Sequence, residues 1–203
     1  MSEDRSQKLR KILRMRAGCD ILIAITNKGD KTMKIDAIVY TSCTGHTKAY
    51  AEMLGRHTGL SVYTLAEAKT KLAKGAAVIY LGWLMAGKVK DYGKAKKRYQ
   101  TAAVIGVGLG DTGAQDEACR KANKIAADIP VFTVQGGMEY EKLKGINRLM
   151  IDMLRKMLSG KKDRTAEEDA MLALIVKGGN YISEEHLDAV YGWYRNEQGG
   201  QDD

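Results

Sequence analysis

Five short apolar runs limit what this chain can fold into: 35–40, 60–65, 76–82, 101–107 and 131–135. Each is too short to be a helix, and most are continuous rather than alternating, the pattern of strands buried on both faces. Helical patterns separate and follow them at about 48–57, 67–74, 90–99, 114–127 and 143–158. Such an alternation predicts an α/β domain built on a parallel sheet covered on both sides. Right-handed crossovers then give a doubly wound, five-stranded sheet of order 2-1-3-4-5. A ligand of such a sheet lies beyond the carboxyl ends of the strands, where the order reverses. The loops after strands one, three and four are therefore the ones to read.

The first of these loops is the most informative. The run ending at Tyr40 stops in Ser42-Cys43-Thr44-Gly45-His46-Thr47, and a helical pattern starts at Lys48. The first backbone N–H groups of a helix lack intrahelical partners, and the helix dipole adds positive charge there, which makes an anion site. Ser42, Thr44 and Thr47 add hydroxyl donors, and Gly45 allows close backbone approach.

Ser42-x-Thr44-Gly45-x-Thr47 after the first strand of an α/β chain resembles the FMN-phosphate loop of the flavodoxin family. That loop holds phosphate without a lysine or arginine of its own. The resemblance implies a flavodoxin-like fold, FMN as cofactor, and contacts to it from Ser42, Cys43, Thr44, Gly45, His46 and Thr47. It also implies that the loop Gly82-Trp83-Leu84-Met85-Ala86-Gly87-Lys88 lies along the flavin ring, so Trp83, Leu84, Met85, Ala86, Gly87 and Lys88 are expected contacts. Its Ala-Gly-Lys ending is similar to the menaquinone-dependent protoporphyrinogen-oxidase branch, in which the aromatic position falls on Met85, two residues after Trp83. Gly108-Leu109-Gly110-Asp111-Thr112-Gly113 follows strand four, and Gly108, Leu109, Gly110, Asp111 and Gly113 are expected at the pyrimidine end. Read alone, this stretch is a G-x-G-x-x-G dinucleotide fingerprint, but it is not on the first strand. No acidic residue ends the next strand, 131–135, to hold a ribose. The Met-rich stretch Gly145–Gly160 is similar to the last helix of the same oxidase branch, with Met150, Met153 and Met157 on one face at helical spacing, the pattern of an ordinary helix core.

The remaining features are less specific. Eight Lys/Arg against four Asp/Glu fall in residues 1–32, so half of the net charge of +8 sits in that segment. It lacks the long apolar core of a signal peptide. Lys28-Gly29-Asp30 can be encoded by a purine-rich ribosome-binding stretch just before Met33, so translation is expected to start at Met33, residues 1–32 being an extension. Residues 33–160 form the expected FMN domain and 161–203 a carboxy-terminal αα-hairpin and tail. Thr165-Ala166-Glu167-Glu168 has capping-box spacing, and Ser183 is expected to cap a second helix. Tyr181, Tyr191, Trp193 and Tyr194 are expected to pack that hairpin on the sheet or on a second subunit.

Scattered cysteines give neither metal spacing nor a disulfide framework, and no apolar run is long enough to span a bilayer; both fit a cytoplasmic bacterial protein. Cys43 as a phosphatase nucleophile is disfavoured, because Ala49 stands where such loops carry an arginine. The basic stretch Lys88–Arg98 reads as a solvated helix face, with no nucleic-acid motif beside it. The expected function is FMN-dependent electron transfer or oxidoreduction with a redox partner protein or quinone, in a monomer or a homodimer. Quinone-linked oxidation of protoporphyrinogen and a flavin-free scaffold are the alternatives. The basic composition implies a flavin potential less negative than in acidic flavodoxins.

Overall fold

The computed structural model describes residues 33–198, and the expectations for residues 1–32 and 199–203 lie outside them. The strands are β1 (Ala37–Thr41), β2 (Val62–Thr64), β3 (Ala77–Met85), β4 (Lys88–Val89), β5 (Gln100–Gly108), β6 (Val131–Gln135), β7 (Gly137–Met138) and β8 (Gly179–Asn180). The helices are α1 (His46–Thr58), α2 (Leu65–Lys71), α3 (Tyr92–Ala95), α4 (Asp116–Asn123), α5 (Gly145–Gly160), α6 (Ala166–Lys177) and α7 (Asp188–Gln198). The main sheet has the order β2-β1-β3-β5-β6, with β4 an antiparallel arm on β3. All its other pairings are parallel, so setting β4 aside leaves the expected 2-1-3-4-5 arrangement.

Both faces of the sheet are covered, which is why its strands read as continuous apolar runs. On one face α1 and α7 bury Tyr50, Leu54, Val190 and Tyr191 against Ile38, Leu81 and Ile105. On the other, α2, α3 and α4 bring Ala68, Tyr92 and Cys119 onto Val39, Tyr80 and Val104. Thr64 and Glu67 form a reciprocal capping box, so α2 starts two residues before the expected Glu67. The predicted box at Thr165 and Glu168 forms as well.

Three expectations are corrected. The basic stretch 90–99 contains only the single turn α3. Lys90 is held to the sheet by its N–H bond to the Trp83 carbonyl (3.0 Å) and by the Tyr80 hydroxyl, which donates to its carbonyl (2.7 Å). At the other end the Arg98 carbonyl accepts from Gly75 N–H at 2.7 Å, so a longer helix cannot fit between these anchors.

The second correction concerns what covers the sheet after β6. The helix expected over 143–158 is present as α5, but it packs with α6 around Met138, Leu143, Leu158, Leu174 and Ile175, a cluster apart from the sheet core. The sheet is covered by α7 instead, whose Trp193 lies tilted against Phe132 with ring centroids 6.1 Å apart. Residues 136–182 are therefore an insertion, closed at its base by antiparallel pairing of β7 with β8. The core is completed beyond residue 160, and the last two helices do not form a hairpin with each other. Ser183 makes no side-chain cap, since a 3-10 turn at Glu184–Leu187 precedes α7.

The third correction is the methionine stripe. Met150, Met153 and Met157 are 40%, 64% and 64% exposed rather than a helix core. Tyr181 is likewise exposed, while Tyr191, Trp193 and Tyr194 pack on the sheet as expected.

Candidate functional site

The end of β1 is pinned before the loop begins. The Thr41 hydroxyl donates to the Tyr80 hydroxyl (2.9 Å), whose own proton goes to the Lys90 carbonyl. Beyond this anchor the backbone turns sharply. Ser42 Oγ accepts from Gly45 N–H at 3.2 Å, and Gly45 lies at φ 108°, a conformation open to glycine and costly for other residues. Helix α1 follows with no side-chain cap, and its first backbone bond runs from Ala49 N–H to the Gly45 carbonyl. The amides of His46, Thr47 and Lys48 are left without intrahelical carbonyls. An uncapped helix start under a glycine turn with three hydroxyl residues suits a phosphate group.

The loop opens into a cleft of about 510 Å³, lined by Tyr40, Thr41, Ser42, Cys43, Gly45 and Lys48 on one side. Thr64, Leu65, Ala66, Lys69, Asp91 and Lys94 line the other. That volume is in the usual range for small-molecule sites. Asp91 is paired with Lys94 at 2.8 Å and Glu52 lies 3.6 Å from Lys48, while Lys69 adds a further cation. Sequence reasoning missed Thr64, Lys69 and Lys94. The Thr64-x-x-Glu67 capping signal could have placed Thr64 at a helix start; nothing local marks the two lysines.

His46 is 5% exposed, with Nδ1 2.9 Å from Thr44 Oγ1. Its Nε2 has no hydrogen-bond partner among the described residues and lies 3.8 Å from Glu139 Oε1. Burial pushes its pKa below 6.5, opposed by Glu139 and reinforced by Lys142. Unfolded His46 therefore binds a proton in a range where the folded residue resists it. Folding stability falls as pH drops through 6.5 and stops falling on this account below the folded value. Thermal unfolding of His46→Gln between pH 7.5 and 5.5 should show a flatter pH dependence; the same slope in both proteins would contradict this.

The same helix holds the far wall. The Tyr50 hydroxyl donates to the Gln135 carbonyl and accepts from His186 Nδ1 (2.7 Å), fixing the end of β6 beside His46. A Cβ on Gly136 would meet His46 Cβ at 3.5 Å, so this segment runs against the base of the 42–47 loop.

The segment after β3 is corrected most. Residues 82–88 are not a loop: β3 continues to Met85, and Ala86 (φ 47°) and Gly87 (φ 74°) make a two-residue turn into β4. Positive φ at both turn positions matches the twist of a hairpin. Asn123 holds this hairpin against α4, donating Nδ2 to the Gly87 carbonyl (2.8 Å) and the Cys119 carbonyl (2.7 Å) and accepting from Val89 N–H (2.9 Å). Ala86, Gly87 and Lys88 thus sit with α4, on the sheet face opposite α1. Leu84 points to that face too, over Gly106 and Gly108, where added Cβ atoms would meet its methyl groups at 2.8 and 3.1 Å. Trp83 and Met85 alternate with Leu84 and share the α1 face with Leu81. Lys90 Nζ lies 5.7 Å from the Trp83 ring centroid.

After β5, Gly108 remains in the strand and its carbonyl accepts from Gly136 N–H at 2.8 Å. Gly110 lies over the Gln115 side chain, Asp111 is exposed, and Gly113 N–H donates to the Thr133 carbonyl at 2.8 Å. Leu109 packs toward the insertion. None of 83–88 or 108–113 lines the cleft at the 42–47 loop. The insertion does reach that loop, because Asn147 Nδ2 lies 3.2 Å from Cys43 Sγ, a contact with no sequence signal.

No group of three or more His, Cys, Asp or Glu among the described residues is placed to hold a metal ion. A family model described as a flavodoxin domain matches residues 37–165, well over half of the chain. No curated protein and no solved structure matches it.

Proposed function

The chain belongs to the flavodoxin-domain family, and on that footing we propose that it is an FMN-binding redox protein passing electrons to or from a partner protein or quinone. One observation carries the reading: β1 ends in a hydroxyl-rich turn at Gly45 above an uncapped start of α1. The FMN phosphate would be held by the amides of His46, Thr47 and Lys48 with the hydroxyls of Ser42, Thr44 and Thr47. Trp83 and Met85, the side chains on the α1 face of β3, are the ring contacts this arrangement favours. When bound, FMN supplies the redox chemistry; the protein anchors it, orients it and sets its electrostatic surroundings. Lys90, whose Nζ lies 5.7 Å from the Trp83 ring centroid, favours added negative charge on a ring held there, which raises the potential relative to acidic flavodoxins. A reducing, cytoplasmic setting suits the exposed Cys43.

Cys43 provides the test. It is exposed in the loop, whereas burial pushes the Cys119 thiol up to about 11. Alkylation at neutral pH, followed by peptide mass mapping, should modify Cys43 and slow markedly when FMN is added. An unchanged rate at saturating FMN contradicts the proposed anchor. The exposed α5 beside Cys43 favours a second reading, oxidation of protoporphyrinogen with a quinone as acceptor.

A further inference from the structure

Most of the large apolar side chains exposed on the described residues belong to one helix. Ile146, Leu149, Met150, Met153 and Met157 are 40–66% exposed and recur at three- and four-residue spacing, forming one stripe along α5. A neighbouring side of the helix, with Ile151, Leu154 and Leu158, is turned into the cluster shared with α6. Arg148 and Arg155 lie over the Tyr140 ring at 4.4 and 5.8 Å from its centroid, on the side of the helix away from the stripe. An apolar surface of this length is an interaction site.

The charges decide what covers it. Residues 142–164 carry eight Lys/Arg and two Asp; Lys142, Arg155, Lys161 and Arg164 are paired with carboxylates, which leaves Lys144, Arg148, Lys156 and Lys162 without an ion-pair partner among the described residues. A second copy would set this positive segment against itself, and the apolar stripe alone would make a narrow interface. An anionic surface with an apolar interior complements both features. We propose that α5 is an interfacial helix that docks the protein on an anionic lipid bilayer, with its stripe at the headgroup–acyl boundary and its cations among the headgroups. No described helix is long and apolar enough to cross a membrane, so α5 lies on the surface. The Asn147–Cys43 contact puts the docked helix beside the phosphate loop. Docking itself does not depend on flavin being bound.

The test is co-sedimentation of the full chain with phosphatidylcholine vesicles, with and without phosphatidylglycerol, at low and high salt. Binding is expected to the mixed vesicles, weakly to the neutral ones, and to decline with salt. The triple variant Ile146→Gln/Met153→Gln/Met157→Gln changes only exposed positions and should lower partitioning at least about tenfold. Circular dichroism should show its fold unchanged, and FMN uptake, read separately by absorbance, should persist. Failure to bind the mixed vesicles overturns the proposal. So does binding that the triple variant retains in full, which would assign it to another segment such as the basic residues 1–32. A wild-type dimer that the same variant dissociates would overturn it in favour of a second copy.

Discussion

Ser42→Asp should lower FMN affinity about a hundredfold, close to 3 kcal/mol, while leaving folding stability at or slightly above wild type. The two effects have opposite signs for one reason. An aspartate at this position keeps an oxygen acceptor for the Gly45 N–H that Ser42 Oγ now holds at 3.2 Å. Its charge also faces the uncapped start of α1, where a carboxylate is worth about 0.3–1 kcal/mol. The phosphate needs the same positive end of the helix and is repelled by a charge already there. Ser42→Ala should weaken binding less, since it removes one hydroxyl without adding charge. Equilibrium titration with FMN and thermal unfolding of both variants make the check. Loss of stability in the aspartate variant, or FMN affinity within about threefold of wild type, would contradict the assignment.

Asn123→Leu should destabilise the fold by about 2–4 kcal/mol. One amide side chain serves the Gly87 and Cys119 carbonyls and the Val89 N–H. Val89 is 4% exposed, so its N–H would be left buried and unpaired. For a chain of this size the loss corresponds to about 6–12 °C in melting temperature. A melting temperature within about 2 °C of wild type would show that the hairpin does not depend on Asn123.

What the sequence made legible was local. β1, the turn at Gly45 and the start of α1 are contiguous, so their strand–turn–helix arrangement could be read from ten residues. The strand order followed from the alternation of short runs and helices and the handedness of crossovers. The capping box at Thr165 was visible because it is a four-residue pattern.

What was not legible depends on distant partners. The hairpin after β3 was hidden because alanine rarely takes positive φ, and Ala86 does so in a turn secured from α4. The choice between α5 and α7 as the helix that covers the sheet was equally obscure. Both are amphipathic, and only the pairing of Tyr50 with His186 and of Trp193 with Phe132 decides for α7. The stripe of methionines looked like a core because periodicity shows that one face is apolar without showing what it faces.

The central claim is that the β1–α1 turn holds the phosphate of FMN. The most direct measurement is the affinity of flavin-free protein for FMN and for riboflavin, which lacks only the phosphate. FMN should bind at least about a hundredfold tighter, since the helix start and the three hydroxyl residues act on the phosphate alone. Equal affinity for the two, or no binding of either, would contradict the claim.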